Sequence, residues 1–164
     1  LLNTGATVHA QDDDPAASAL LEEGLAIYQR FGDKMNAARC LHDLGAVAAR
    51  QGDQTLARSR FTTSLALFRE VGDRRNLIKC LEGLAGVWVA EGRVEKAARL
   101  FGVSEALREA LGTPLPGSYC ANYQRNLSDI RKQLDEASIA AAWAEGRAMT
   151  MEQAIGYALK EVSQ

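Results

Sequence analysis

The chain has 164 residues and a mass of 17.7 kDa, room for one domain or one short repeat array. Apolar residues at 47% and charged residues at 24% are ordinary for a soluble globular protein, which argues against a disordered, collagen-like or membrane-spanning chain. A net charge of −2 offers no surplus of Lys and Arg for phosphate, so no direct nucleic-acid contact is expected, and 28 Ala and 20 Leu against 20 Val, Ile and Thr favour helix over strand.

Taken in chain order, Leu1 stands in register with Leu41 and Leu81, inside a first helix rather than ahead of one. The chain is therefore expected to be a piece of a larger protein. Asp12-Asp13-Asp14-Pro15 restarts the helix, because carboxylates suit a helix N-terminus and Pro suits its first turn. Helices are predicted to stop at Gly32, Gly52, Gly72, Gly92 and Gly112, since Gly tolerates the left-handed conformation beyond a helix end. Asp33, Asp53 and Asp73 then offer N-caps for the helices that follow. The product is a set of antiparallel helix pairs joined by turns of two or three residues.

In one such pair the first apolar stripe is Leu41, Leu44, Val47 and Ala48, and the second is Leu56, Phe61, Leu65 and Phe68. Beyond Gly112 the pattern fades at Thr113-Pro114-Leu115-Pro116-Gly117, read as a rigid break. A helix is predicted from about 118 to 134, with Tyr119, Tyr123, Leu127, Ile130 and Leu134 on one face. A shorter one follows at about 136–146, with Ile139, Ala142 and Trp143 apolar. Thr150-Met151-Glu152-Gln153 reads as a capping box that opens a last helix carrying Ala154, Ile155, Ala158 and Leu159. Residues 1–112 thus read as repeats and 113–164 as capping helices that cover the last apolar face. The alternative is that the last helix leads into an effector domain.

The repeat is the main signal. At a shift of 40 residues Gly5, Gly45 and Ala85 align, as do Ala17, Ala57 and Ala97, then Leu21, Phe61 and Phe101. Leu41-x-x-Leu44-Gly45-x-x-Ala48 followed by Ala57-x-x-x-Phe61-x-x-Ser64 resembles the tetratricopeptide (TPR) repeat. Leu81-x-x-Leu84-Ala85-x-x-Trp88 followed by Ala97-x-x-x-Phe101-x-x-Ser104 repeats it, and Leu1-x-x-Thr4-Gly5-x-x-Val8 is a weaker first copy. The resemblance implies an all-α, TPR-like right-handed superhelix of antiparallel helix pairs with a helical C-terminal cap. The long period and the Gly-Asp turns look like the arrays of large bacterial signal-transduction ATPases, often joined to a LuxR-type helix-turn-helix. Segments 105–116 and 141–152 look like the ends of such arrays.

Residues that carry chemistry are few. Cys40, Cys80 and Cys120 are an odd number at 40-residue spacing, so they are expected to be small buried helix residues rather than a disulfide framework or metal site. Leu1 to Ala10 lacks a basic start and a long apolar core, so the expected setting is cytoplasmic and reduced. His9 and His42 have no companion acid in a metal-binding pattern. His42 and Asp43 point about 100° apart on a helix, so they are read as no dyad and His42 as a solvated residue. Arg74-Arg75 and Arg58-x-Arg60 are isolated cations. Phosphate loops and nucleophile elbows are missing. No catalytic residue, cofactor or metal is therefore expected, and the chain is read as no enzyme.

A surface remains. By analogy with TPR stacks, the first helix of each pair lines a concave groove. In one repeat that assigns Asn36, Arg39, His42, Asp43, Ala46 and Arg50 to it, and in the next Asn76, Lys79, Glu82, Gly83, Gly86 and Val89. Asn36 and Asn76 recur, as do the cations Arg39 and Lys79, a set able to bond a peptide backbone or a carboxylate. The alternative is an ordinary solvated face. Gly83 and Gly86 each cost about 1 kcal/mol of helix stability relative to Ala, which close packing or ligand access would explain. The expected role is a protein- or peptide-binding scaffold, or a dock for neighbouring domains of the parent chain. The alternatives are a small-molecule (inducer) sensor and an accessory module of a kinase or cyclase. A homodimer is a further option, since a truncated first helix exposes Leu1 and Leu2.

Overall fold

The structure, a computed structural model, describes residues 14–115 and 117–162. Eight helices hold nearly all of them: α1 (Asp14–Arg30), α2 (Lys34–Arg50), α3 (Gln54–Val71), α4 (Arg74–Ala90), α5 (Val94–Leu111), α6 (Gly117–Gln133), α7 (Glu136–Arg147) and α8 (Met151–Val162). No strand occurs among the described residues. The fold is an all-α, TPR-like helical repeat. The first-helix reading of Leu1 lies outside the described residues, as do Asp12 and Asp13; α1 does begin at Asp14 with Pro15 in its first turn.

The punctuation is local chemistry. Gly32, Gly52, Gly72, Gly92 and Gly112 all have positive φ, between 60° and 83°. At each, the residue after the Gly donates back to a carbonyl five positions earlier: Asp53 N to Ala48 O at 3.0 Å, Arg93 N to Trp88 O at 2.8 Å. These paired bonds satisfy carbonyls that a helix end leaves open. Asp33 and Asp53 start the next helices by accepting from the backbone N–H of Asn36 (3.0 Å) and Leu56 (2.9 Å). The capping box at Thr150 is reciprocal: Gln153 N donates to Thr150 Oγ1 at 3.2 Å and Thr150 N to Gln153 Oε1 at 2.8 Å.

The chain divides into two compact units, Leu1–Asp73 and Arg74–Gln164. In the first, α2 and α3 form a hairpin closed at Gly45. A Cβ there would meet the Phe61 ring at 3.0 Å, so the small residue lets the helices approach and the ring fill the gap. Ser64 Oγ donates to Ala38 O at 2.7 Å, tying the two helices through a buried bond. Leu25 of α1 packs on Ala37, Cys40, Leu41 and Leu44 of α2. Leu56 departs from its expected stripe and is 42% exposed. It lies five residues before Phe61, roughly 140° around the helix, so it cannot share that face.

In the second unit α4 and α5 pair over a core of Ile78, Leu81, Leu84, Val87, Trp88, Leu100, Phe101 and Val103. The C-terminal helices add to this unit, with α7 packed on α5 and α8 against both α4 and α5. The α5–α7 crossing runs backbone to backbone. A Cβ on Gly102 would stand 2.4 Å from Trp143 O, and one on Gly146 would stand 2.0 Å from Arg99 O. On α8, Ala154, Ile155 and Ala158 are sealed from solvent. Cys40 and Cys80 are buried as expected, but Cys120 is exposed on α6. The 40-residue pattern that places the first two has ended by then, and Cys120 falls off the narrow apolar side of α6.

Candidate binding surface

The residues that the sequence assigns to a groove lie on α2 in the first unit and on α4 in the second. On α2 the set starts at the cap. Asn36 Nδ2 donates to Asp33 Oδ2 at 2.6 Å and Arg39 Nη1 reaches Asn36 Oδ1 at 3.5 Å, so these residues form a hydrogen-bonded row. The backbone N–H of Asn36, with its side-chain amide second, holds the Asp33 carboxyl below its ordinary range. Arg39 and Arg50 are exposed, and Asp43 and Ala46 are half-buried.

His42 departs from its expected solvated state. It is 7% exposed and meets Phe61 edge-on at 5.4 Å. Its Nδ1 lies 3.2 Å from Asp43 Oδ1, so the neighbours touch despite their 100° offset, through side-chain reach. Lys34 pairs with Glu70, and Arg60 with Glu22 at 2.6 Å, on the helices around this row.

On α4 the surroundings differ. Asn76 and Lys79 are half-exposed, while Glu82 (8%) and Val89 (7%) are buried. Arg108 of α5 grips Glu82 through two parallel bonds, Nε to Oε1 at 2.7 Å and Nη2 to Oε2 at 2.6 Å. Planar guanidinium and carboxylate groups match in this geometry, so Glu82 is held within the protein rather than offered to solvent. Gly83 is half-buried, and at Gly86 a Cβ would meet Asn126 Nδ2 of α6 at 3.2 Å. Of the two explanations for these glycines, close packing accounts for Gly86.

Repeat logic missed the residues around this pair. Glu82, Glu105, Arg108, Glu109, Thr113, Pro114, Leu115 and Tyr123 line a cleft of about 520 Å³. Trp143 Nε1 and Arg147 Nη1 both donate to Glu105 Oε2, at 2.7 and 2.6 Å, and Arg147 Nη2 donates to Glu109 Oε2 at 2.7 Å. The Arg147 contact draws the Glu109 carboxyl below its ordinary range. Burial, reinforced by the negative Glu105 and Glu82, pushes the Tyr123 phenol up to about 12. Tyr123 lies outside the repeat, and Arg108 is not repeated at position 68, which is Phe, so no period marks either.

No group of three or more His, Cys, Asp or Glu side chains converges as a metal site among the described residues. No described helix is long and apolar enough to cross a membrane. In comparisons with known proteins, the tetratricopeptide repeat family model matches residues 1–70. No curated protein and no solved structure matches the chain.

Proposed function

We propose that the chain is a non-catalytic scaffold that recognises a protein or peptide, as a module of a signalling or transcription-regulatory protein. Tetratricopeptide repeats generally mediate protein–protein interaction, and residues 1–70 match that family. The observation that carries the reading is the Asp33–Asn36–Arg39 row on α2. A hydrogen-bonded row with an exposed guanidinium is partly ordered before any partner arrives, which lowers the cost of binding a carboxylate or a peptide backbone. Association with a regulator rests on the likeness of segments 105–116 and 141–152 to the ends of such arrays.

Peptide-library panning on the purified chain tests this. Carboxylate-bearing peptides are expected, with Arg39→Glu weakening them at least about tenfold and Glu23→Lys on α1 changing them less than about twofold. Absence of saturable peptide binding, or binding indifferent to Arg39→Glu and Asn36→Ala together, refutes the proposal.

A second reading, small-molecule sensing, draws on the cleft beside Tyr123, whose volume of about 520 Å³ is in the range of ligand pockets. A metabolite that raises the melting temperature of the wild type but not of Leu115→Glu would favour it.

A further inference from the structure

We propose that α6 is a displaceable internal ligand of the α4–α5 pair. It opens on its own and uncovers the α4 face around Gly86 for an amphipathic partner helix with the same anchors. This deepens the recognition role proposed above and rests on it.

The seat of α6 is narrow. Among its described side chains only Ile130 is buried, at 1% exposure. Tyr123 and Asn126 are half-buried, and most of the others, such as Gln124, Arg125 and Arg131, are exposed. Tyr123, Asn126 and Ile130 fall at i, i+3 and i+7, the spacing by which a helix lays one face into a groove. Tyr123 meets Phe101 of α5 edge-on at 5.2 Å, and Asn126 Nδ2 lies 3.2 Å from where a Cβ on Gly86 of α4 would stand. A cleft opens beside Tyr123 toward the C-terminal end of α5.

Its neighbour α7 is held quite differently. Backbone contacts at Gly102 and Gly146 fix α7 to α5, with Arg99 to Glu145 at 2.5 Å and the Trp143 and Arg147 bonds to Glu105 and Glu109. Elements with few buried apolar contacts open at the lowest free energy, so in this unit α6 is the element poised to lift. Pro114 on one side and the break at residues 134–135 on the other separate it from the helices it follows and precedes. What α6 vacates is a surface already fitted to an aromatic ring, an amide and a branched aliphatic in helical register. A partner helix of that chemistry competes for it.

Hydrogen–deuterium exchange on the full chain reads the opening directly. The α6 amides are expected to exchange at least about tenfold faster than those of α5 and α7, and Ile130→Ala to raise them at least about tenfold more while α5 stays within about twofold. Tyr123→Ala, at a less buried site, serves the same purpose if Ile130→Ala fails to fold. A labelled peptide of residues 117–133, with Cys120→Ser, is then expected to bind the opened variant at least about tenfold tighter than the wild type, because the wild-type site is already filled. The same peptide carrying Ile130→Ala is expected to bind neither. Wild-type α6 amides exchanging in step with α5 and α7 would overturn the proposal. So would an opened variant that fails to capture the peptide. Both outcomes leave the α2 row to its own test, so failure here is distinct from failure of the recognition role.

Discussion

Single atoms decide how closely the helices of this protein meet. At Gly146 the missing Cβ lets α7 rest on the Arg99 carbonyl, a backbone atom that cannot swing aside. Gly146→Ala is therefore expected to destabilise the chain by about 1–3 kcal/mol through forced separation of α5 and α7. Gly156→Ala is the control, since nothing lies within 4 Å of its added Cβ on α8. That substitution is expected to stabilise by about 0.5–1 kcal/mol through helix propensity alone. Urea unfolding of both variants checks the sign; two shifts in the same direction would show that α5–α7 packing is not the cause. Thiols divide on similar grounds. Burial, with the negative Asp43 adding to it, pushes the Cys40 thiol up to about 11. At a pH of about 8, iodoacetamide is expected to label exposed Cys120 well before buried Cys40 and Cys80, as mass spectrometry of timed samples reports.

Helix ends carry the repeat at the scale of the element. Asp53 caps α3 through the Leu56 N–H and Thr150 caps α8 through the Gln153 N–H, each bond removing one open donor from a first turn. Asp53→Ala and Thr150→Ala are each expected to lower stability by about 1 kcal/mol. These sites lie in different units and share no partner, so their effects should add to within about 0.5 kcal/mol. A double variant in a urea titration measures the sum, and a marked excess would mean that one cap supports the other. Such ends were legible in the sequence because a left-handed Gly and a capping Asp act within five residues of chain. The starts of α6 and α8 were legible from other local signals, the Pro-Gly break at residues 113–117 and the Thr150–Gln153 capping box. By contrast, the α5–α7 crossing was not, because Gly102, in the middle of α5, and Gly146, in the last turn of α7, have their reason on a distant segment. Glu82 shows the same limit in the candidate surface. Helical spacing assigns it to the polar stripe of α4, but only the fold brings Arg108 against it and takes it out of solvent.

For the whole molecule, stability against acid draws on carboxylates whose ionised forms the folded chain favours. Asp33 is held below its ordinary range first by the Asn36 N–H, Asp135 by the Ser138 N–H, and Glu109 by its bonds to Arg147. In each case the unfolded chain binds its proton at a higher pH than the folded chain does. Above the ordinary carboxylate range both states are charged and the contribution is complete. As pH falls through that range the unfolded state takes up protons first, and the contribution is lost by the time the folded groups titrate. The urea midpoint is therefore expected to hold near about pH 7 and to decline between about pH 5 and pH 3. Asp33→Asn and Asp135→Asn separate this titration from loss of a cap, since Asn caps about as well as Asp but carries no carboxyl proton. Each should keep the cap, lower the neutral-pH midpoint slightly by the share that the ionised carboxylate contributes, and flatten the acid decline. An unaltered decline in the double variant would assign the acid sensitivity to other groups and leave the two aspartates a purely neutral capping role.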